Sequence, residues 1–492
     1  MKYDVIIIGS GLGGLECGYI LSKKGYKVCI LEQHTQIGGC LQTFRRGKSV
    51  FDTGFHYVGG LDEGQSLHKL FGYFDLLDLP WHKLDEDAFA EVVIAGNSFF
   101  LASGHKRFVD VLAKDFPHQR KQIEAYTGVL KQVGDDIFNS FTTDFGNSAL
   151  FGNSAYMFLQ QTIDEPLLRN ILSGGSLTME LCSKKLPLYV FAQINNSFIQ
   201  STWKLNGDGS MIAGKLADYI RSKDGDIITK AKVTRLIETD GKISAVEYNE
   251  TEQISGKYVI SNIHPVQTLA LIPESRHIRK LYRKRISSIA NTFGIFTVHL
   301  QLKESMTPYL NKNVFVYRNA DSIWDYKPDM SGKSNATDSI LINYKVPHEG
   351  IYTDNIDILT PMYWDEVARW SDTVIGNRGA DYEMFKQKKA ESCIELASTE
   401  IPGLKNFIEK IYTSTPLTYR DYTGTQNGSA YGIQKDYNDV LGTIIVPQTQ
   451  IPNLFLSGQN LNLHGILGVS MTSFFTCSKI VGMNNLLKDF NI

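Results

Sequence analysis

This chain of 492 residues has few cysteines, almost no net charge and no long apolar segment. Its six cysteines form no Cys-x-x-Cys pair and no regular spacing, which excludes a disulfide-stapled scaffold. The net charge of −2 provides no electrostatic footprint for nucleic acid. No stretch approaches the roughly 18 uncharged apolar residues of a membrane-spanning helix. Because no signal peptide precedes the first apolar run, we expect a reducing, cytoplasmic location.

Two kinds of catalytic motif are also missing. The histidines and cysteines form no metal-ligand cluster, so no metal site is predicted. Gly-x-Ser-x-Gly does not occur in the strand-to-helix context that a nucleophile elbow requires. The composition, 42% apolar and 21% charged, is ordinary for a globular protein, and the length allows two or three domains. The chemistry of this chain is therefore expected to come from a bound cofactor.

The first residues carry a dinucleotide-binding fingerprint. An apolar run ends in Gly-x-Gly-x-x-Gly, formed by Gly9, Gly11 and Gly14. Gly9 allows a tight strand-to-helix turn, Gly11 lets a pyrophosphate approach the backbone, and Gly14 lets the helix pack closely on the strand. Glu32 ends the next apolar run, where a carboxylate accepts hydrogen bonds from a ribose diol. Strand, helix, second strand and acidic tip together predict a bound dinucleotide.

Later segments return to the same pattern. The pair Gly38 and Gly39 lies shortly after Glu32, and a short strand, a glycine and a helix recur near the C-terminus. We therefore predict an α/β fold whose Rossmann-type domain is assembled from residues 1–75, 201–265 and 445–492, with re-entry near Trp203. Residues 76–200 and 266–444 would form an α+β substrate domain with a helical part, and residues 61–200 are predicted to be mostly helical.

Two segments each allow two interpretations. The basic run 276–285 is either a solvated helix face or a contact for anionic lipid headgroups. Residues 148–159 are apolar and aromatic, which indicates either core packing or a face that dips into a membrane.

Several motifs together resemble one family. Residues 51–59 read Phe-Asp-Thr-Gly-Phe-His-Tyr-Val-Gly, residues 415–432 begin with Thr-Pro-Leu-Thr-Tyr-Arg-Asp-Tyr-Thr-Gly, and residues 456–460 read Leu-Ser-Gly-Gln-Asn ahead of Gly-Ile-Leu-Gly. With the N-terminal fingerprint, the chain resembles, nearly end to end, the FAD-dependent phytoene desaturase and retinol saturase group of the amine-oxidase-like flavoproteins. Many superfamily members have arginine after the glycine pair, but this chain has Cys40, which favours the saturase branch.

The resemblance implies FAD as cofactor and assigns its contacts residue by residue. Glu32 would bind the adenosine ribose, Val233 the adenine through its backbone, and the C-terminal amides the diphosphate, ribityl chain and flavin ring. The implied cofactor residues are Gly9, Gly11, Leu12, Gly13, Gly14, Glu32, Gln33, Gly38, Gly39, Cys40, Leu41, Val233, Gly458, Gln459, Gly468, Val469 and Ser470.

Saturating or desaturating a C=C bond by hydride transfer at flavin N5 also requires one proton to be managed. The resemblance puts His56 and Tyr57 close to the isoalloxazine, so they are the candidate acid or base groups, with His464 behind them.

The predicted function is thus an FAD-dependent oxidoreductase acting on CH–CH or C=C groups of a carotenoid- or retinoid-like lipid, with a preference for a retinol-saturase-like reductase. The alternatives are a phytoene-type desaturase, a flavin amine oxidase and a non-catalytic prenyl-lipid carrier. The expected partners are a hydrophobic polyene or isoprenoid substrate and, at the periphery, a membrane, but no nucleic acid. No second glycine fingerprint indicates a nicotinamide site, so the electron partner stays open.

Overall fold

The computed structural model describes residues 3–135, 149–328 and 336–490. Its first layer is a parallel five-stranded sheet, in which Tyr3–Ile8 lies between Val28–Leu31 and Gly256–Ser261. Asp226–Ile228 and Leu454–Leu456 form the two edges. The near-continuous apolar strands follow from burial of this sheet on both faces. The α/β Rossmann-type prediction is confirmed.

Three helices from distant parts of the chain cover this sheet. Leu12–Lys23 packs against both Ser210–Ser222 and Gly465–Val481. The parallel sheet therefore draws on segments near both ends of the chain and near its middle. The strand that contains Trp203, Thr202–Leu205, pairs in a separate small sheet, so the chain returns to the parallel sheet only at Asp226.

A second sheet has seven strands and is mostly antiparallel. Its strands, in spatial order, are Ile408–Ser414, Gly294–Leu302, Asn355–Met362, Ser339–Tyr344, Asn313–Tyr317, Ala90–Ile94 and Asn97–Leu101. One face shares an apolar core with the helices between residues 105 and 200. The domain boundaries given above stay a prediction, although this sheet takes its strands from residues 76–200 and 266–444.

The remaining elements complete the two layers. The other strands are Thr43–Arg46, Ser49–Asp52, Val58–Gly59, Trp81–Lys83, Val233–Thr239, Lys242–Tyr248 and Glu252–Ile254. The other described α-helices are Ser66–Tyr73, His105–Asp115, Arg120–Asp135, Ala155–Thr162, Pro166–Gly174, Leu188–Gln200, Pro265–Ala270, Lys280–Ser288, Ala380–Ala397, Leu404–Phe407, Pro416–Thr423, Val440–Thr443 and Met483–Leu487.

The prediction that residues 61–200 are mostly helical is wrong for residues 81–101. Three strands lie there, and two of them join in a hairpin at Ala95 and Gly96, both with positive φ. Short apolar runs do not by themselves distinguish strand from helix, and Ala-Gly is not a strong turn signal.

The apolar segment 148–159 falls partly outside the described residues, since Ser148 is not among them. Within the described part, Phe151, Ala155 and Leu159 are buried in the helical core, as the core-packing interpretation expects, while Met157 is half exposed.

Across residues 3–135, 149–328 and 336–490, no single helix is long and apolar enough to span a bilayer. The pair Gly465–Val481 and Met483–Phe490 meets that length and composition only when taken together, and it bends by 120°.

Candidate active site

The turn after the first strand leaves backbone amides facing a cavity. Gly9 has φ of +88°, a conformation that L side chains rarely adopt. The helix Leu12–Lys23 starts after Gly11 without a side-chain cap and without an acidic residue in its first turn. Its N-terminus, including Gly13, lines a cavity of about 400 Å³, which we call the main cavity. Free amides and the positive end of the helix dipole make this turn an anion site.

The glycines of the turn have no room for side chains. A Cβ on Gly14 would lie 2.1 Å from the carbonyl oxygen of Gly9, so the helix and strand touch here. A Cβ on Gly13 would lie 2.6 Å from Oδ1 of Asn262, which follows the strand Gly256–Ser261. This Oδ1 is buried and has no hydrogen-bond partner in the part of the chain described. A hydroxyl-bearing ligand in the main cavity would satisfy it.

Glu32 is buried at the tip of the second strand and lines the main cavity. Oε2 accepts hydrogen bonds from the amide and the hydroxyl of Ser10, at 2.9 Å and 2.6 Å, and Oε1 accepts from the amide of His34 at 2.9 Å. These three bonds fix the carboxylate. A carboxylate accepts about four hydrogen bonds, so capacity is left for a ribose hydroxyl.

The second glycine pair packs directly on the first turn. The amide of Gly38 donates to the carbonyl oxygen of Ser10 at 3.0 Å, and a Cβ on Gly39 would lie 3.0 Å from Cα of Gly11. Cys40 follows in the wall of the main cavity, and burial raises the pKa of its thiol to about 11. The position directly after the glycine pair is therefore neutral in this chain.

The structure brings most of the predicted cofactor residues to one surface. Those that line the main cavity are Gly9, Gly11, Leu12, Gly13, Glu32, Gln33, Gly38, Gly39, Cys40, Leu41, Val233, Gly458, Gln459 and Val469. Gly14, Gly468 and Ser470 lie behind this surface. A Cβ on Gly468 would meet the carbonyl oxygen of Leu463 at 2.5 Å, and the hydroxyl of Ser470 donates to Oε1 of Glu16 at 2.5 Å.

Glu16 is a structural residue that the sequence pattern does not reveal. It is fully buried in the helix Leu12–Lys23, and burial raises its pKa to about 8. Hydroxyls of Ser470 and Ser473 donate to it from the C-terminal helix. These bonds hold together the two helices whose N-termini line the main cavity, since Gly465 and Ile466 lie there as well.

His56 and Tyr57 both line the main cavity. Burial lowers the pKa of His56 to about 4, so its imidazole is neutral at pH 7, and its Nδ1 has no partner among the described residues. Burial raises the pKa of Tyr57 far above its usual value, so this hydroxyl keeps its proton; it too has no described partner. The side chains of two adjacent residues, both able to transfer a proton, thus line the cavity.

His464 also lines the main cavity, but it is already engaged. Its Nε2 donates to the carbonyl oxygen of Thr178 at 3.0 Å, and its ring lies 4.7 Å from that of Tyr431. Burial lowers its pKa to about 4. His464 immediately precedes the helix Gly465–Val481, so its hydrogen bond to Thr178 anchors the start of that helix.

One end of the main cavity is apolar. Its aliphatic and aromatic wall comes from both the helical part and the seven-stranded sheet: Leu177, Ile194, Phe198, Ile295, Leu341 and Leu359. Tyr419 and Tyr431 add rings whose hydroxyls donate to the carbonyl oxygens of Thr53 and Leu177, at 2.7 Å and 2.5 Å. Such a wall offers shape and apolar surface rather than charge. Among the described residues, no group of three or more His, Cys, Asp or Glu side chains could hold a metal ion.

Comparisons with known proteins agree with this geometry. Residues 7–74 match the model of the NAD(P)-binding Rossmann-like domain. The chain is 26% identical to an all-trans-retinol 13,14-reductase of Danio rerio over 527 residues, covering 98% of this chain and 86% of that protein. It is 21% identical to prolycopene isomerase 2 of an Oncidium hybrid over 472 residues, covering 88% of this chain and 75% of that protein. This relationship confirms the resemblance to the carotenoid and retinoid oxidoreductases.

Solved structures share the fold. An oxidoreductase from Methanosarcina mazei superposes with a TM-score of 0.64 at 14% identity, covering 96% of this chain and 98% of that one. A putrescine oxidase with bound putrescine superposes with a TM-score of 0.62 at 14% identity, covering 98% and 99%. At this identity the likeness concerns the fold alone. Together with the Rossmann match, it indicates a dinucleotide cofactor of the flavin type.

Proposed function

We propose that this chain, a nearly full-length relative of the carotenoid and retinoid oxidoreductases, is an FAD-dependent enzyme that reduces a C=C bond of a retinoid-like lipid. One observation carries the proposal: a single cavity runs from the glycine-rich turn to an apolar chamber and includes His56 and Tyr57 in its wall. The proteins named retinol 13,14-reductase, related over nearly the whole chain, support the reductive direction.

The residues present fit FAD. The uncapped helix at Gly11 and Gly13 would hold the pyrophosphate, Glu32 the adenosine ribose, and Val233 the adenine side of the cavity. The free Oδ1 of Asn262 offers an acceptor to a polyhydroxyl chain. Bound there, the flavin would supply a hydride for addition to carbon.

The protein's own share of the reaction is to exclude water, hold the substrate and deliver a proton. The apolar wall excludes water, because it offers few hydrogen-bond partners, and it also holds the apolar substrate. His56 and Tyr57 are the proposed source of the proton, since both line the main cavity and both side chains carry an exchangeable proton. Near neutral pH, the Tyr57 hydroxyl can donate a proton but does not accept one, whereas the neutral imidazole of His56 can do both.

An apolar chamber selects an apolar substrate. Burial of each CH₂ contributes about 0.8 kcal/mol, so a polyene of about twenty carbons gains on the order of 10 kcal/mol on leaving water. Such a substrate is held mainly in membranes, and the enzyme must take it from there.

The test is a panel of lipids given to chemically reduced, anaerobic protein. We expect a mass gain of two hydrogens for retinol, and for neither phytoene nor lycopene. Loss of two hydrogens by the oxidised protein would indicate a desaturase, and isomerisation without a change of mass would match the relatives named prolycopene isomerase. Peroxide from amines would indicate an amine oxidase, and a colourless protein would indicate a carrier.

We further propose that the protein contacts anionic membranes peripherally through one surface, the basic patch. It consists of Arg276, Arg279, Lys280, Leu281 and Lys284, which are exposed on or just before the helix Lys280–Ser288. Leu281 is 77% exposed. Such a combination of cations and an exposed apolar side chain suits the headgroup region of a bilayer.

A second exposed leucine lies beside the basic patch. Nη1 of Arg285 donates to the carbonyl oxygen of Leu441 at 2.9 Å, and the side chain of Leu441 is 80% exposed. The segment just before the helix Val440–Thr443 contacts the chain that follows Thr178 of the main cavity wall, because the amide of Tyr437 donates to the carbonyl oxygen of Lys185. This connection supports a membrane-facing side close to the substrate chamber.

Neutralising two lysines of the basic patch, Lys280→Gln with Lys284→Gln, should weaken binding to vesicles that contain phosphatidylserine. Each lysine near an anionic surface contributes about 1 kcal/mol, so the partition coefficient should fall about 30-fold. Co-sedimentation at low salt measures it. The control is Lys114→Gln with Lys121→Gln, two exposed lysines of the helical part. An equal loss of vesicle binding in both double variants, or no vesicle binding by the unaltered protein, would contradict the assignment.

A further inference from the structure

Behind His56 lies a second, smaller cavity of about 30 Å³, which we call the polar pocket. That volume holds one or two water molecules. Ionisable side chains from separate segments line it: Asp52, His56, Lys204, Lys345 and Asp357. His56 belongs to the wall of both cavities, so it separates the polar pocket from the main cavity.

The polar pocket contains polar atoms that the described protein leaves without a partner. They are Nδ1 of His56 and Oδ1 of Asn343 and Asn355. Buried polar atoms in folded proteins are almost always hydrogen-bonded to protein or to water. Three such atoms around a cavity of this size indicate bound water, which would connect His56 to the charged groups.

Burial brings the pKa of two of these groups to about 7. Lys204 is 2% exposed, its Nζ donates to the carbonyl oxygen of Tyr344 at 2.9 Å, and burial lowers its pKa to about 7. Asp52 accepts from the amide of Gly209 at 2.7 Å, and burial raises its pKa to about 7. Both are therefore able to give up a proton and regain it under physiological conditions.

The other charged groups around the pocket already have partners. Oδ1 of Asp357 is 2.6 Å from Nδ1 of His299, whose Nε2 is 3.2 Å from Oγ of Ser414. Nζ of Lys345 donates to the carbonyl oxygen of Val50 at 2.8 Å. Asp208, one residue before Gly209, binds the hydroxyl of Ser210 and raises the pKa of Asp52 further. Lys204 and Asp52 differ from them in that burial brings the pKa of each to about 7, which suits both to exchange protons with the pocket water.

We propose that the polar pocket is a proton reservoir, in which Lys204 and Asp52 replace, through bound water, the proton that His56 gives to the substrate. The inference rests on the proposed function and deepens it, because it names the proton supply of the same site. Lys204 and Asp52 act through His56 and are positioning and relay residues.

The proton balance is as follows. Reduction of one C=C bond breaks the π bond and forms two C–H bonds. One forms with the hydride that the bound cofactor supplies, and the other forms from the π electron pair and a proton released from a ring nitrogen of His56. The other ring nitrogen takes a proton from pocket water, that water takes one from Lys204 or Asp52, and solvent restores it. His56 ends as the neutral imidazole with which it began.

The test compares Lys204→Met with the unaltered protein in a single turnover of reduced holoprotein with retinol. Loss of a positioned proton source should slow the proton-dependent step on the order of 10- to 100-fold and change the pH dependence near 7, where Asp52 alone would then titrate. Added methylammonium should restore part of the rate, whereas Lys204→Arg should not, because guanidinium does not release a proton. Lys312→Met, which removes a lysine paired with Glu91 away from both cavities, is the control and should leave the rate unchanged.

A second readout needs neither cofactor nor turnover. Between about pH 7 and 10, the side chain of Lys204 is neutral in the folded protein but charged in the unfolded protein, so unfolding takes up a proton. The contribution of Lys204 to the free energy of unfolding therefore rises with pH across this range. The melting temperature of the unaltered apoprotein, minus that of Lys204→Met, should therefore increase across this range. If the melting temperatures of the two proteins change in parallel between pH 7 and 10, the proposal is overturned.

If Lys204→Met does not fold, Asp52→Asn serves as the second variant and should also slow the single turnover. Unaltered rates and pH profiles in an active protein would overturn the reservoir alone. An unaltered protein that reduces no polyene would overturn the proposed function and the reservoir with it.

Discussion

Gly11→Val is expected to abolish retention of the flavin cofactor. Gly11 lines the main cavity, and a Cβ there would already lie 3.0 Å from Nδ2 of Asn262, so the valine methyl groups must enter the space at the helix N-terminus. A phosphate displaced from these amides loses charge-assisted hydrogen bonds of about 1.5–3 kcal/mol each. The dissociation constant should rise on the order of 100-fold or more, and the protein should lose its yellow colour on gel filtration.

Gly128→Val is the matched control. Gly128 lies in the helix Arg120–Asp135, and nothing lies within 4 Å of a Cβ built on it. This variant should stay yellow. If Gly11→Val also retains full flavin absorbance, the phosphate does not lie at this turn.

His56→Gln is expected to reduce the rate of substrate reduction on the order of 10²- to 10⁴-fold, the usual contribution of a positioned acid or base. Glutamine keeps a polar side chain but does not exchange a proton. Because His56 is not part of the glycine-rich turn, flavin retention should persist. The measurement is the single-turnover rate per bound flavin, which separates loss of chemistry from loss of cofactor.

His264→Gln is the control for that variant. His264 also lines the main cavity, but its Nε2 contacts Oδ1 of Asn291 at 3.0 Å and its Nδ1 accepts from the amide of Val266. With both ring nitrogens engaged, it has no role in the proposed proton transfer. Rates that fall equally in the two variants would remove His56 from the mechanism.

Local motifs predicted several residues that line the main cavity near the glycine-rich turn. The positions of Gly9, Gly13 and Glu32 follow from a turn, a helix start and a strand end, all within one short segment. Such features depend on backbone geometry that adjacent residues determine. The cofactor contacts of Gly468 and Ser470 stay a prediction: neither residue lines the main cavity, and the hydroxyl of Ser470 donates to Glu16.

The substrate half and the polar pocket could not be predicted in the same way. Asp52, Lys204 and Asp357 meet only because strands of three different sheets bring distant segments together. No local pattern marks a lysine as buried or a histidine as lying between two cavities. The family resemblance did single out His56, but the free Nδ1 and the water-sized space behind it required the structure.

The most direct test mixes chemically reduced protein, without oxygen, with one equivalent of all-trans-retinol and follows the flavin absorbance. The account predicts that the yellow oxidised spectrum returns in a single turnover while each retinol gains two hydrogens. A spectrum that stays bleached with retinol, phytoene and lycopene alike, or a purified protein that takes up no flavin when saturated with FAD, would contradict it.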